Sequence, residues 1–137
     1  MIFIFLFMIA CGKERTVVEE KYPDGSAKKV CVYKGTESNK VLVREATYYQ
    51  GGKKQMEGSY KNGLRDGKWT FWYENGNKWS EGYFRKGKSD GKRTTYYENG
   101  KVRYEAYYED DRRTGKWRFF DEQGNLVREV DYTKDNQ

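Results

Sequence analysis

The chain repeats a block of 24 residues, and this period limits what it can fold into. Glycine returns at one position of the block, in Gly52, Gly76, Gly100 and Gly124. Two further columns keep the same period, a second glycine in Gly67, Gly91 and Gly115, and a glutamate in Glu57, Glu81, Glu105 and Glu129. Such a period is typical of an array in which each unit buries its apolar surface only against its neighbours. Function in such arrays usually lies on a surface.

Aromatic residues must supply most of the buried surface. Hydrophobic residues make up 36% of the 137 residues and charged residues 35%, which leaves little for a thick core in one domain. Aromatic residues alone make up 18%, and each buries roughly 150 to 250 Å². One proline, 15 glycines and many Tyr, Thr and Trp residues favour strands joined by tight turns. We expect an all-β domain, a thin sheet lined with rings.

The middle copy, residues 68–84, predicts a β-hairpin. Two alternating segments flank Asn75 and Gly76, and Asn-Gly favours a type I′ turn because both central residues need a positive φ. A two-residue loop would pair Trp72 with Trp79, Thr70 with Glu81, Phe71 with Ser80 and Trp69 with Gly82. The links between hairpins, at residues 61–68 and 86–92, indicate longer, polar, glycine-rich turns.

Strand, tight turn, strand and looser turn follow one another along the chain and predict an antiparallel meander of stacked β-hairpins in one twisted sheet. Residues 48–132 carry the regular repeats. Residues 21–47 are expected to be a degenerate first repeat that caps the array, because terminal units are commonly atypical. Residues 133–137 are expected to form a polar tail.

The segment Gly67 to Phe84, GKWTFWYENGNKWSEGYF, resembles the variant MORN repeat, and the same pattern covers most of residues 48–132. The resemblance implies a MORN-like repeat array, a twisted antiparallel sheet of stacked hairpins. Bacterial chains built only of these repeats are often grouped as the YwqK-type antitoxin family. The resemblance therefore also implies an antitoxin-like protein with a toxin as its partner.

The first eleven residues, MIFIFLFMIAC, carry a separate signal. The run is shorter than the roughly 20 apolar residues of a membrane-spanning helix and fits the apolar core of a signal peptide. Its end, Met8 to Cys11, resembles a bacterial lipobox, in which the cysteine is diacylated and becomes the new N-terminus. We predict a lipoprotein signal peptide in residues 1–10 and a lipidated tether in residues 11–20. A cleaved secretory peptide or an ordinary buried strand is the alternative.

Several kinds of chemistry are disfavoured or excluded by the composition. The chain has no histidine, which rules out imidazole metal sites and histidine-based catalytic triads. Cys31 lies between two valines and is expected to be a buried, inert thiol. One glutamate per repeat fits cross-strand pairing, as between Arg118 and Glu129, better than a pair of catalytic carboxylates. We expect no enzyme activity, no cofactor and no bound metal.

Aromatic and basic side chains are the candidates for a ligand or partner surface. Tryptophan and tyrosine rings can bind sugars or cations, and clustered cations attract anionic lipid head groups. The candidates are Trp69, Trp72, Trp79, Tyr83, Lys86, Lys88, Lys92 and Arg93. Core packing is the other explanation of the tryptophans. Their columns also change along the array, Trp69 to Arg93 to Trp117 and Trp79 to Arg103 to Val127, so a ring cage would be unique to one stretch.

These features together predict a membrane-anchored bacterial lipoprotein that faces the periplasm or the cell exterior. Its repeats would form a non-catalytic scaffold that binds a protein partner or a membrane. The net charge of +6 allows contact with anionic lipid, and export argues against nucleic acid as a partner. Two alternatives remain, an antitoxin or immunity-type protein that neutralises a toxin by binding it, and a cell-surface glycan-binding module.

The lipid anchor predicts a defined covalent mass. Full-length protein from the membrane fraction of a bacterial host should begin at Cys11 and carry a diacylglyceryl group, because the lipobox cysteine is the acylated residue. Intact-mass spectrometry beside a Cys11→Ala variant checks this, and the variant should lack the added mass. An unmodified full-length chain in the soluble fraction would contradict the anchor and favour the antitoxin alternative.

Overall fold

The computed structural model describes residues 13–133, which form one open antiparallel sheet of 11 strands. The strands are β1 (Glu14–Lys21), β2 (Ala27–Lys34), β3 (Val41–Tyr48), β4 (Lys54–Lys61), β5 (Leu64–Trp72), β6 (Lys78–Arg85), β7 (Lys88–Ser89), β8 (Gly91–Tyr96), β9 (Val102–Glu109), β10 (Arg112–Phe120) and β11 (Leu126–Asp131). Strands adjacent in sequence are adjacent in the sheet, except that β7 pairs only with β6 and β8 continues the sheet beside β6. The predicted all-β meander of stacked hairpins is confirmed.

The helical structure between the strands of residues 13–133 is one short 3₁₀ helix, Glu37–Asn39, between β2 and β3, and Thr133 after the last strand is also in a 3₁₀ conformation. None of the helical segments in this range is long and apolar enough to cross a membrane. The predicted signal peptide, the lipidation site Cys11 and most of the predicted tail lie outside the described residues.

The predicted tether overlaps the sheet. Residues 14–20 belong to β1, which pairs with β2 and places Val17 opposite Cys31. Most of β1 is exposed, and charged residues surround a run of only three uncharged residues, Thr16 to Val18, so its sequence carries little strand signal of its own. Pairing with β2 makes it a strand. Cys31 itself is 1% exposed, which confirms the expected buried thiol, and burial raises its pKa.

Alternation along the strands gives the sheet two faces of different chemistry. The first, which we call the glutamate face, is marked by a row of paired residues across β4 to β11, namely Glu57, Thr70, Glu81, Thr94, Glu105, Arg118 and Glu129. The second, which we call the arginine face, is marked by the adjacent row, namely Gly58, Trp69, Gly82, Arg93, Ala106, Trp117 and Val130.

The core consists of aromatic rings that lie on the arginine face. Trp69 is 0% exposed, and its ring meets Tyr60 edge-on with centroids 5.2 Å apart and Phe84 with centroids 6.1 Å apart. Its indole N–H donates to the Ser59 carbonyl at 3.1 Å, which satisfies the polar atom that burial would otherwise leave unpaired. Trp117 repeats this arrangement 48 residues later at 8% exposure. The sheet therefore buries apolar surface under its own side chains.

The hairpin loops are longer than predicted. Tyr73 and Asn77 close a three-residue loop, because the Tyr73 N–H donates to the Asn77 carbonyl at 2.8 Å and the Gly76 N–H donates to the Tyr73 carbonyl at 3.0 Å. Gly76 has φ of +95°, whereas Asn75 is not among the residues with positive φ, so the predicted type I′ turn is wrong. A turn followed by a left-handed glycine produces a bulge in the hairpin.

The bulge changes one of the four predicted pairs. Trp72 lies opposite Lys78, and Trp79 is the extra residue, so the predicted pairing of Trp72 with Trp79 is wrong. The pairs further from the loop are as predicted, namely Thr70 with Glu81, Phe71 with Ser80 and Trp69 with Gly82. Asn75 holds the loop in this form because its side-chain oxygen accepts the Asn77 N–H at 2.8 Å.

The tight two-residue turns lie at the links between hairpins, where longer turns were expected. Both central residues have positive φ in each of the three links, as a type I′ turn requires, namely Asn62 and Gly63, Lys86 and Gly87, and Asp110 and Asp111. The extra length of these links lies instead in the strand that follows, where residues such as Gly67, with φ of +81°, bulge out of the pairing with the preceding strand.

A column of tyrosines joins each hairpin loop to the next repeat. Each phenol donates to a backbone carbonyl of the following unit, Tyr49 to Trp72 at 2.8 Å, Tyr73 to Tyr96 at 2.9 Å and Tyr97 to Phe120 at 2.8 Å. Asp121 occupies this column in the last repeat and instead accepts N–H groups of its own loop, from Gln123 at 3.0 Å and Asn125 at 2.8 Å. The loop of the last repeat is therefore held by hydrogen bonds within itself.

Glycine at position 58 should be required by the ring that covers it. A Cβ there would lie 2.1 Å from the Trp69 ring, so Gly58→Ala should lower the free energy of unfolding by roughly 2 to 4 kcal/mol. Chemical denaturation followed by tryptophan fluorescence checks this. The control is Gly82→Ala in the same column, where the nearest atom is the flexible Arg93 Nε at 3.2 Å and the repeat already tolerates Ala106. Equal effects of the two substitutions would contradict this packing.

Candidate functional site

The residues predicted for a ligand surface lie on both faces of the sheet. Trp69 is buried in the core and offers no accessible surface. Trp79 and Arg93 lie on the arginine face, whereas Tyr83 and Lys92 lie on the glutamate face. The remaining three are Trp72, on the glutamate face under the Lys54 ammonium, Lys86, in a link turn, and Lys88, in β7. Binding by any of the eight stays a prediction.

A groove of about 510 Å³ lies on the arginine face, in the middle of the array. Side chains of β5, β6, β8 and β9 line it, namely Arg65, Phe71, Trp79, Ser80, Gly82, Phe84, Arg93, Thr95, Arg103 and Tyr104. Three of these residues are arginines and none is acidic. Its hydroxyl groups come from Ser80, the buried Thr95 and Tyr104, and its most exposed ring is Trp79, at 47%.

The groove exists because the repeat departs from its own pattern at this point. Position 93 belongs to the column of Trp69 and Trp117, whose large rings fill the arginine face in the flanking repeats. The Trp69 ring covers Gly58, but only the narrow Arg93 side chain lies near the equivalent Gly82. A slender side chain over a glycine leaves space that tryptophan would occupy.

Aromatic rings position the three groove arginines. The Arg65 guanidinium lies 4.2 Å from the centroid of Trp69 and 5.6 Å from that of Phe84. Arg93 lies between the rings of Phe84, at 5.8 Å, and Tyr108, at 4.9 Å. The Arg103 guanidinium lies 5.7 Å from the centroid of Tyr97. Such stacking favours a planar cation and limits its conformations.

The positive charge of the groove is not neutralised by described residues. Arg65, Arg93 and Arg103 form no ion pair with a carboxylate in residues 13–133. Arg93 donates a hydrogen bond to the Ser89 hydroxyl at 3.0 Å. Burial raises the pKa of Tyr108, so this phenol stays neutral beside Arg93. An arginine has only donors to offer. The groove can therefore receive a ligand that is rich in acceptors and negatively charged.

The glutamate face is neutralised internally. Glu81 accepts hydrogen bonds from Lys68 at 2.8 Å, Lys78 at 2.9 Å and the Tyr96 hydroxyl at 2.9 Å. Burial alone would raise the pKa of Glu81, but these three hydrogen bonds outweigh it and lower the pKa to about 2. The predicted pair of Arg118 and Glu129 is present at 3.1 Å. A general acid needs a raised pKa, so Glu81 has the properties of a structural carboxylate.

Sequence reasoning did not assign Arg65, Phe84 or Arg103 to a site. Arg65 and Phe84 have no distinguishing local pattern, since their contact depends on how β5 and β6 are paired. Arg103 carried a signal, because it and Arg93 are the two places where a tryptophan column changes to arginine within one repeat. Regular alternation places Arg93 on the arginine face, opposite Ala106, and the bulge at the three-residue loop brings Arg103 onto the same face.

Glu81→Gln should lower the free energy of unfolding by roughly 1 to 3 kcal/mol at pH 7, because a carboxylate with a lowered folded pKa stabilises the protein when ionised. This stabilisation is complete above the unfolded pKa, near 4.5, and is lost as the pH falls through the folded value of about 2. The difference between variant and wild type should therefore shrink in that interval.

Urea denaturation at pH 7, 4 and 3 measures this difference. Glu74→Gln is the control, since Glu74 is exposed and has no ion pair with a described residue. A difference that is independent of pH would show that Glu81 acts through packing instead of charge.

Comparison with known proteins agrees with the repeat structure. The chain matches the MORN repeat variant family in four units, residues 43–62, 65–86, 89–110 and 113–134. Each unit corresponds to one hairpin, β3 with β4, β5 with β6, β8 with β9 and β10 with β11. No curated protein matches the chain. The four units cover more than half of the chain, which therefore belongs to the MORN repeat variant family.

Proposed function

We propose that this protein is a non-catalytic binding scaffold, anchored to the bacterial cell envelope through Cys11, that binds an acidic partner with its arginine face. The observation that carries the proposal is the groove lined by Arg65, Arg93 and Arg103, none of which forms an ion pair with a carboxylate of residues 13–133. Arginines that serve only the fold would be expected to pair with acidic neighbours, as the cations of the glutamate face do.

The contrast between the two faces supports this assignment. On the glutamate face Lys68 and Lys78 bind Glu81, and Lys92 binds Glu105, so these cations have partners within the sheet. On the arginine face the guanidinium groups lie over rings and have no carboxylate partner among residues 13–133, so they can bind an acceptor of a partner. The cations of the glutamate face therefore serve the array, and the arginines of the groove can serve a partner.

The connections between repeats support a scaffold role. Tyrosine hydroxyls tie each hairpin loop to the next unit, and the link turns do so at the opposite edge, where the Gly87 N–H donates to the Arg65 carbonyl at 2.8 Å. Units held at both ends keep the groove residues of β5 to β9 in fixed positions. A fixed arrangement reduces the entropy that binding would cost.

The position of the groove suits a protein held by its N-terminus. β1 begins at Glu14, three residues after the predicted lipidation site Cys11. β5 lies four strands further along the sheet, which corresponds to roughly 19 Å at about 4.8 Å per strand. A lipid on Cys11 would thus hold β1 near the membrane and leave the groove clear of it.

Binding to envelope material tests the proposal. Detergent-solubilised full-length protein should sediment with purified envelope material, and the triple variant Arg65→Gln, Arg93→Gln and Arg103→Gln should lose at least 90% of the sedimented fraction, because the groove loses its charge. The control triple Lys53→Gln, Lys61→Gln and Arg112→Gln removes the same charge from exposed residues without an ion pair among residues 13–133.

Equal loss in the two triple variants would show that net charge and not the groove is responsible, and would overturn the proposal. Retention by the groove variant would overturn it as well. Thermal denaturation of each variant verifies that the sheet is still folded.

A further inference from the structure

We infer that the arginine groove is a site for an acidic saccharide, a sugar unit that carries a carboxylate. This inference rests on the proposed function and specifies the ligand of the same groove. It follows from the number of donors in the groove, the position of Trp79 and the backbone pairing of the strands below.

The groove offers donors to a ligand that has many acceptors. The groove presents three planar guanidinium groups, those of Arg65, Arg93 and Arg103. Each can bind a carboxylate through two parallel hydrogen bonds. The described residues that line the groove include no lysine, although lysine is frequent on the glutamate face and in the turns. A surface that only attracted negative charge would not need arginine. The use of arginine at all three positions therefore indicates that the groove binds a planar carboxylate in a defined orientation.

The groove also combines one open ring with hydroxyl groups. Trp79 is the bulge residue of its hairpin, is 47% exposed and lines the groove together with the arginines. Phe71 contacts its ring edge-on with centroids 5.8 Å apart, which limits the movement of the ring. A sugar has one apolar ring face that can lie on an indole, and hydroxyls that Ser80 and Thr95 can meet. The groove volume of about 510 Å³ suits a ligand of a few sugar units.

An acidic peptide fits the groove less well. Bound peptides satisfy their main chain at a free strand edge or along a polar groove. Here the floor is formed by β5, β6, β8 and β9, each of which is already paired with a strand on both sides. The floor therefore has no free backbone edge, and donors that outnumber acceptors would leave peptide N–H groups unpaired.

A single-stranded nucleic acid fits less well for a different reason. Such ligands stack successive bases on several open rings. Phe71, Phe84 and Tyr104 are only partly accessible to solvent. Among the described groove rings, Trp79 is therefore the exposed one. One open ring and three forks favour a short ligand with one or two acidic groups.

Calorimetry with defined sugars tests the inference. Full-length protein in neutral phosphatidylcholine nanodiscs is titrated with trigalacturonate and with a neutral trigalactoside. Trigalacturonate should bind at least tenfold more tightly than the neutral sugar. Arg93→Gln and Arg103→Gln should each weaken its binding at least tenfold, and Arg103→Lys, which keeps the charge but removes the fork, should weaken it severalfold. Lys53→Gln with Lys61→Gln is the control and should change binding less than twofold.

One substitution separates loss of the site from loss of the fold. Arg93→Trp restores the residue of the flanking repeats, so the protein should remain folded with an unchanged or higher melting temperature while the groove is filled. Trigalacturonate binding should then disappear. Binding that survives Arg93→Trp in a folded protein would overturn the inference.

Three further outcomes would also overturn it. These are equal binding of both sugars, tighter binding of hexaglutamate or inorganic phosphate than of trigalacturonate, and arginine-dependent binding of phosphatidylglycerol vesicles without any binding of the acidic sugar. If envelope binding depends on the groove but no acidic sugar binds, this inference fails and the proposed function stands. If envelope binding does not depend on the groove arginines, the proposed function fails first.

Discussion

The requirement that one sheet cover its own apolar surface governs this structure. The described residues form a single sheet, so burial has to come from side chains that lie on the strands. Trp69 does this over Gly58, with Tyr60 and Phe84 at its edges. Because Gly58 has no Cβ, the Trp69 indole can lie against its backbone and exclude water without a second layer of secondary structure. Gly58 and Trp69 are therefore two halves of one packing interaction.

The same constraint explains why a site can arise in the middle of the array. Where a tryptophan ring lies over a small residue of the neighbouring strand, as Trp69 lies over Gly58, rings cover the arginine face. Arginine replaces tryptophan at position 93 and at the bulge position 103. Rings therefore cover less of the arginine face there, and charged groups line the groove. The fold remains because two rings contact Arg93, Phe84 from the preceding unit and Tyr108 from its own unit. The ring packing that the repeats share stabilises the fold, and the groove forms at the repeat in which arginine replaces tryptophan.

Much of the hairpin structure could be predicted, and its turns show where prediction stops. The pairing of Thr70 with Glu81 follows from the alternating pattern, because a shift by one residue would exchange the two faces. The turn types follow from competing local contacts. Asn75 could have adopted a positive φ, but its side chain accepts the Asn77 N–H and donates to the Glu98 carbonyl of the next repeat at 3.0 Å. That second contact belongs to the array and is not visible in one hairpin.

The sequence by itself determined the repeat length, the all-β class, the meander and the pairing away from the loops, because periodicity and turn residues act locally. Only the tertiary structure decided that Glu14–Lys21 is a strand, that the tight turns lie at the links and that the predicted surface residues divide between two faces. It also brought Arg65 to Arg93 and Arg103, which are on different strands and distant in sequence. Their convergence depends on strand order and on a one-residue bulge, and both arise only when the hairpins pack side by side.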